Sequence, residues 1–241
     1  MIPLRLAMIQ ETALPTPMPL TVTEIVDHMV QADNARMAVF SGYTGMRRYS
    51  FENKKVKKNA EVTVRVVCDR TGAKSFEVVA ESGSGFVRSH ILRRMIDAER
   101  EASAKAEHEE TRIIPQNYDF RLLGTEKKEG RSSYVLEISP KKKTQFMILG
   151  RIWVDGVDFA ITRLEGSPAK NPSFWIRSVH VVHSYDRIGQ FWLPVTNKSR
   201  AEARVFGTND VGIEYFDYLI NGSHENAGSA PGIEPATTTA Q

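Results

Sequence analysis

The second half of the chain is a long series of short apolar runs separated by turn residues, and this pattern restricts the fold more than any other feature. Runs of this kind are typical of β-strands, and connections this short join antiparallel neighbours. The sequence therefore predicts a large antiparallel sheet with strands near residues 120–126, 134–138, 145–154, 157–165, 175–185, 190–196, 199–206 and 211–220.

Asp155-Gly156 is the strongest hairpin signal in this series. A two-residue turn at that point fixes the register of the two flanking strands. It predicts three facing pairs that give one apolar face: Val154 with Val157, Ile152 with Phe159, and Gly150 with Ile161.

The first half of the chain predicts three further strands. A long strand over 37–51 is interrupted by Gly42 and Gly45, which are typical of places where a sheet bends. Residues 61–68 alternate, with Val62, Val64, Val66 and Cys68 on one face. The turn at 69–72 then leads into a strand over 74–80 and predicts a hairpin.

Two segments predict helices. Thr21 and Glu24 match a capping box at the start of an amphipathic helix over 22–33. A second helix over 87–107 has an apolar stripe and a strongly charged opposite side. This helix either packs on the sheet or forms a lid over a cavity.

These elements predict an α+β, mainly β fold with a single curved antiparallel sheet. Residues 1–20 form an extended leader with three alternating prolines, residues 21–220 form one domain, and residues 221–241 are a disordered tail. No run reaches the roughly 18 apolar residues of a membrane span. Residues 1–9 lack a full apolar core and a cleavage motif, so no export signal is evident.

The charge distribution does not indicate a nucleic-acid-binding protein, because no basic stripe is present and we expect no nucleic-acid partner. The net charge is only +3 over 241 residues, and basic and acidic residues alternate along most of the chain. Lys54–Lys58 and Lys141–Lys143 are the densest basic segments. They are either solvated turns or binding sites for anionic headgroups or an acidic membrane protein.

The residues that usually perform catalysis or bind metals are scattered. Cys68 is the only cysteine, so a cysteine zinc site and an intramolecular disulfide are both excluded. His180 and His183 point to opposite faces of one strand and make a poor metal-binding pair. No nucleophile and base are suitably spaced, so we expect a non-enzymatic protein with no cofactor, no metal and no catalytic residue.

Three segments within 118–195 resemble the outer-membrane lipoprotein-sorting proteins of the LolA-like superfamily, which includes LolA, LolB and the N-terminal domain of RseB. They contain Trp153 and Asp155 of the central hairpin, the run Phe159-Ala160-Ile161-x-Arg163, and Gly189-Gln190-Phe191-Trp192-Leu193-Pro194. The resemblance extends over 22–220.

The resemblance implies a half-open β-barrel with helices lidding the concave face, in the periplasm. It implies a monomeric carrier or chaperone that binds the acyl chains of a lipoprotein or lipid during outer-membrane biogenesis. Its partners would be an inner-membrane transporter or an outer-membrane acceptor. The alternatives are an RseB-like regulatory sensor that binds lipids or lipoproteins and a hydrolase with an assembled site.

The resemblance also implies a hydrophobic cavity and an arginine that holds the lid shut. For the arginine we expect Arg65, followed by Arg47 and Arg48, although a solvated strand position also suits each of them. A fully packed core would have the same sequence pattern as an open cavity. The expected lining residues are Val62, Val64, Val66, Ile91, Met95, Leu136, Ile138, Ile152, Val154, Phe159 and Ile161.

Overall fold

A computed structural model describes residues 20–104, 108–205 and 207–221. Ten strands form one antiparallel sheet, and helices lie on one of its faces. This confirms the predicted mainly β fold with a single curved sheet. The predicted leader and tail lie outside the described residues, apart from Leu20 and Asn221.

Strands that are consecutive in the sequence are neighbours in the sheet, except that β3 and β4 lie at its two edges; the order is β3-β2-β1-β10-β9-β8-β7-β6-β5-β4. Pairing between β1 and β10 joins the N-terminal three strands to the C-terminal seven. The strands are β1 Tyr43–Asn53, β2 Lys58–Cys68, β3 Lys74–Gly83, β4 Tyr118–Lys128, β5 Arg131–Pro140, β6 Ile148–Asp155, β7 Ile161–Pro168, β8 Ile176–Ile188, β9 Phe191–Ala203 and β10 Gly207–Ile220.

The helices precede β1 and fill the connection between β3 and β4. They are α1 Val22–Ala38, α2 Gly85–Val87, a π-helical turn Arg88–Leu92, α3 Arg93–Ala104 and α4 His108–Thr111. The capping box at Thr21 and Glu24 is confirmed. The predicted end of α1 near residue 33 is wrong, because no helix-breaking Gly or Pro occurs before Gly42 and the helix continues to Ala38.

The extension of α1 also corrects the first predicted strand, because residues 37 and 38 are helical and β1 begins only at Tyr43. The strands predicted separately over 190–196 and 199–206 are one continuous strand, β9, since no turn residue interrupts them. The predicted bend at Gly45 is confirmed by a shift in the β1–β10 register between Thr44 and Met46.

The predicted register of the central hairpin is wrong. Val154 pairs with Ile161, and Ile152 pairs with Leu164. The connection is longer than two residues because the Asp155 carboxylate accepts hydrogen bonds from the backbone N–H groups of Val157 and Asp158. Residues 156–160 therefore leave the sheet, and Phe159 is not a strand residue.

A close contact between β6 and β7 occurs where the paired residues are Gly150 and Gly166. A Cβ atom on Gly150 would lie 2.1 Å from the carbonyl oxygen of Glu165, which no side chain tolerates. The glycine pair thus lets the two strands approach closely.

Two separate apolar cores lie on the helix-covered face. The first core joins β1, β2 and β10 to Val87, Leu92 and Ile96 of the α2–α3 region. The second core, which we call the α1 core, joins Ile25, Val26 and Met29 of α1 to β4–β7.

Polar residues separate the two cores in the middle of the sheet. Directly paired positions form one row across the helix-covered face, and its central members are Asn197 on β9 and His183 on β8. On either side the row is apolar, with Val62, Tyr49 and Ile213 toward the first core and Leu164, Ile152, Leu136 and Leu122 toward the α1 core. The helix-covered face is therefore not filled by one continuous core.

Candidate ligand pocket

A pocket of about 270 Å³ lies where α1 meets the middle of the sheet. We call it the α1 pocket. Its walls come from α1, from the segment 111–114, and from residues at the ends of β7, β8 and β9. Most of its lining is apolar or aromatic: Met29, Val30, Ile113, Ile114, Phe159, Ala160, Ile161, Tyr185 and Trp192.

Helix α1 supplies both the apolar wall and part of the polar mouth of this pocket. Met29 is buried and Val30 is half-buried. Asp33 and Arg36 lie one to two turns further along the helix and also line the pocket. The same helix is fixed to the sheet by the α1 core, so its pocket-facing side chains have a rigid support.

The β6–β7 connection brings Phe159 to the pocket. Asp155 is 1% exposed, and its carboxylate accepts two hydrogen bonds from Arg131, each 2.8 Å long. Phe159 takes a left-handed backbone conformation, with φ at 47°, and its ring lies 4.8 Å from that of His28 on α1. The buried aspartate thus determines the shape of one wall of the pocket.

The polar groups at the mouth have partners within the protein. Arg36 Nη1 donates to the carbonyl oxygen of Asp158 at 3.0 Å. Arg112 Nη2 donates to Asp33 Oδ2 at 3.0 Å, and the Trp192 indole N–H donates to the Asp158 carboxylate at 3.1 Å. An apolar floor with a satisfied polar mouth suits an amphiphile whose polar head stays at the rim.

The titratable side chains of the floor are neutral at physiological pH. Burial raises the pKa of Tyr185 to about 12, so its hydroxyl stays protonated. Burial also lowers the pKa of the nearby strand residue His183, which favours the uncharged imidazole. No fixed charge on this part of the sheet opposes the entry of a hydrocarbon.

The structure brings two of the predicted lining residues, Phe159 and Ile161, to the α1 pocket. The other nine lie away from it, and their contact with a ligand remains a prediction. Ile91 and Met95 are half-buried against the first core. The remaining seven have no exposed surface because they are packed within the two cores: Val62, Val64, Val66, Leu136, Ile138, Ile152 and Val154.

Several pocket residues were not identified from the sequence. Met29 and Val30 are apolar residues within the predicted amphipathic helix over 22–33, so the sequence contained a signal for them. Trp192 belongs to the run 189–194 that carries the resemblance, although that run does not indicate a pocket. Tyr185 and the segment 111–114 join the pocket through long-range packing, and no local pattern marks them.

The arginine that contacts the helices is Arg47, and Arg65 does not. Arg65 is 58% exposed and pairs with Glu77 on the neighbouring strand, and Arg48 is 45% exposed and pairs with Glu214. Arg47 is only 2% exposed, and its Nη1 lies 2.5 Å from Glu99 of α3. A solvated strand position was also expected for each of the three arginines. For Arg47 this expectation is wrong, because its side chain points between the sheet and α3.

A network around Glu99 joins α3 to the sheet. The Glu99 carboxylate also accepts hydrogen bonds from the Tyr49 hydroxyl and the Lys74 ammonium, each 2.9 Å long. Burial by itself raises the pKa of Glu99, but the positive charges of Lys74 and Arg47 outweigh it and lower the pKa to about 2. Glu99 is therefore ionised throughout the physiological range.

A larger open groove, about 910 Å³ in volume, crosses β3, β2, β1, β10, β9 and β8. Its lining includes Glu52, Glu61, Lys198, Arg200 and Asp210. So many charged side chains do not suit a hydrocarbon ligand, which leaves the α1 pocket as the candidate site.

Within residues 20–104, 108–205 and 207–221, no group of three His, Cys, Asp or Glu side chains could hold a metal ion. In the same part of the chain, no helix combines the length and the apolar character needed to cross a bilayer.

Comparisons with known proteins identify similar sequences and structures. A model described as a family of unknown function, DUF5686, matches residues 115–221, which include β4–β10. A search among curated proteins finds no match.

Similar solved structures include a DUF1329 family protein from Desulfovibrio piger, at 15% identity and a TM-score of 0.43, covering 86% of this chain and 95% of that one. An outer-membrane lipoprotein-sorting domain from Vibrio parahaemolyticus has 13% identity and a TM-score of 0.43, covering 84% and 95%. A LolA superfamily protein from Nitrosomonas europaea has 13% identity and a TM-score of 0.38, covering 84% and 94%.

Proposed function

We propose that this protein is a non-enzymatic periplasmic carrier that binds an acyl chain of a lipoprotein or lipid in the α1 pocket. The observation that supports the proposal is an apolar pocket with a polar mouth, between α1, the segment 111–114 and the ends of β7, β8 and β9. An inner-membrane transporter would load the carrier, and an outer-membrane acceptor would receive the cargo.

The size of the pocket supports a single hydrocarbon tail. Its volume of about 270 Å³ is just below the usual range for ligand pockets, which begins at roughly 300 Å³, and suits one narrow ligand. Each methylene removed from water contributes about 0.8 kcal/mol, so a chain of about ten carbons would gain roughly 8 kcal/mol before ordering costs. This gain is sufficient for reversible binding, which a carrier requires.

The arrangement of polar groups supports a binding role over a catalytic one. Asp33, Arg36 and Arg112 at the mouth are engaged with protein groups. None of these interactions places a base against a Ser, Thr or Cys side chain, so they fit the positioning of a headgroup better than bond cleavage.

We also propose that α3 acts as the lid and that Arg47, in place of Arg65, holds it closed through Glu99. In the closed state α3 covers the first core. Lifting α3 would expose Val62, Val64, Val66, Ile91 and Met95, and the apolar surface available to a longer acyl chain would increase.

A fluorescent fatty acid, dansyl-labelled undecanoic acid, tests the α1 pocket. Ile161→Asp and Val30→Asp place a charge in the pocket, and each should weaken binding at least tenfold, because burying an unpaired carboxylate is costly. The matched control is Leu149→Asp, since Leu149 is 51% exposed and lies outside the pocket. Unchanged affinity in both pocket variants, with native circular dichroism, would contradict the site.

A further inference from the structure

The connections between strands differ sharply in charge at the two ends of the sheet. Because neighbouring strands are antiparallel, every second connection lies at the same end. We call one end the basic end; besides the start and end of the helical β3–β4 connection, it carries the four non-helical connections at 54–57, 141–147, 169–175 and 204–206. The opposite end carries those at 69–73, 129–130, 156–160 and 189–190.

All the charged residues of the four connections at the basic end are positive. They comprise seven lysines and one arginine, with no Asp or Glu, whereas the four connections at the opposite end contain one arginine and three acidic residues. The whole chain has a net charge of +3, so the rest of it carries −5 once these eight cations are subtracted. The eight are all exposed: Lys54, Lys55, Lys57, Lys141, Lys142, Lys143, Lys170 and Arg204.

Hydrogen bonds join these four connections into one surface. Lys55 Nζ donates to the carbonyl oxygen of Val205 at 3.0 Å, and the Arg204 N–H donates to that of Trp175 at 2.9 Å. The Lys170 N–H donates to the carbonyl oxygen of Thr144 at 3.2 Å. The cations therefore belong to one continuous rim.

Large apolar side chains project from the same rim. Phe174 is 76% exposed, Trp175 is 64% exposed and Phe146 is 69% exposed. Arg204 lies over the Phe174 ring at 4.9 Å, so one cation of the rim is in direct contact with one of its aromatic rings. Exposed aromatics of this size usually mark a surface that meets an apolar partner.

We infer that the basic end docks onto a bilayer containing anionic phospholipids. Lysine ammonium groups next to exposed Trp and Phe rings match the two layers of a membrane surface, the charged headgroups and the interface below them. The proposal does not depend on the acyl-carrier function.

The composition of the rim favours a membrane over an acidic protein. Seven of the eight cations are lysines, whose point charge on a flexible stem suits a diffuse anionic surface, whereas paired recognition of carboxylates favours arginine. The cations and aromatics project from the tips of separate connections, which is the shape that a flat bilayer can contact at several points.

Docking in this orientation keeps one side of the α1 pocket away from the membrane. Phe159 and Trp192 belong to connections and strand ends at the opposite end of the sheet. Along β9, Trp192 is about 35 Å from the β9–β10 connection at ~3.3 Å per residue. A protein held on a membrane through its basic end would thus leave that side free for exchange.

Co-sedimentation of the full chain with sucrose-loaded vesicles tests the inference. We expect binding to vesicles with 30% phosphatidylglycerol in phosphatidylcholine, little binding to pure phosphatidylcholine, and loss of binding at 0.5 M NaCl. The triple variant Lys54→Gln, Lys142→Gln, Lys143→Gln should bind on the order of 100-fold more weakly. Phe174→Ser with Trp175→Ser should also weaken binding.

A charge-matched control separates the rim from overall charge. Arg70→Gln, Lys127→Gln, Lys128→Gln removes three cations near the opposite end and should reduce vesicle binding far less. Ile161→Asp should leave vesicle binding intact, which separates surface docking from lipid uptake. Equal losses in the two triple variants, equal binding to both vesicle types, or binding to an acidic protein without any to vesicles would overturn the inference.

Discussion

Replacing Glu99 with Gln should loosen α3 from the sheet, and the structure determines how the loss depends on pH. Glu99 accepts from Arg47, Lys74 and Tyr49, and the substitution leaves the guanidinium of Arg47, 2% exposed, without its counter-ion. Removing one member of a buried ion pair typically costs about 3–5 kcal/mol of folding free energy.

The lowered pKa of Glu99 gives an independent magnitude. Its pKa is about 2 in the folded protein against an ordinary value of 4.5. A difference of that size corresponds to roughly 3 kcal/mol, which is fully present above pH 4.5 and is lost as the pH falls toward 2. By pH 3.5 about 1.4 kcal/mol of it should already be lost.

The measurement is urea unfolding of wild type and Glu99→Gln at pH 7 and at pH 3.5. The difference in unfolding free energy should be near 3 kcal/mol at pH 7 and clearly smaller at pH 3.5. The double variant Arg47→Met, Glu99→Gln is the control, because it removes both charges and should recover part of the loss. A difference below 1 kcal/mol at pH 7, or one that is equal at the two pH values, would refute the assigned network.

Two further predictions concern the sheet beside the α1 pocket. Asp155→Ala removes the carboxylate that accepts two hydrogen bonds from Arg131 and one each from the N–H groups of Val157 and Asp158. It should lower the unfolding free energy by about 2–3 kcal/mol and weaken binding of the dansyl fatty acid. Asp155→Asn should have a smaller effect, and full stability of the Ala variant would contradict the role of Asp155 in the turn. His183 has a lowered pKa in the folded state, so below about pH 6.5 the unfolded chain binds more protons than the folded one. The unfolding free energy should therefore fall by up to about 1.4 kcal/mol per pH unit as the pH decreases. His183→Gln should reduce this dependence of the unfolding free energy on pH, measured by urea unfolding between pH 7 and pH 5.

Most of the fold could be predicted from the sequence because the signals for it are local. The alternation over 61–68 and the turn at 69–72 gave the β2–β3 hairpin, which the structure contains with Cys68 paired with Lys74. The capping box likewise located the start of α1. The predicted register of the central hairpin was wrong because a side chain there determines the backbone conformation: Asp155 accepts hydrogen bonds from two N–H groups of its own turn.

The candidate site was less predictable because it depends on which apolar residues remain uncovered. Alternation in β2 and β5 correctly marks a buried face, but it cannot distinguish a residue covered by a helix from one that faces a pocket. Val62 and Leu136 are buried in the two cores beneath the helices, whereas Tyr185 on β8 and Trp192 on β9 line the α1 pocket.

The same argument explains why Arg47 and not Arg65 contacts α3. In β1 and β2, residues of one parity face the helices, and Arg47 has the parity of Tyr49, whereas Arg65 has the opposite parity to Val64 and Val66. A buried arginine on an otherwise apolar face costs desolvation energy unless a carboxylate meets it, and Glu99 does so from the charged side of α3. A helix that owes part of its attachment to one ion pair can separate from the sheet at a smaller cost than one attached by apolar packing alone, because water can solvate both charges once they part. Attachment of this kind suits the proposed role of α3 as a lid over the first core.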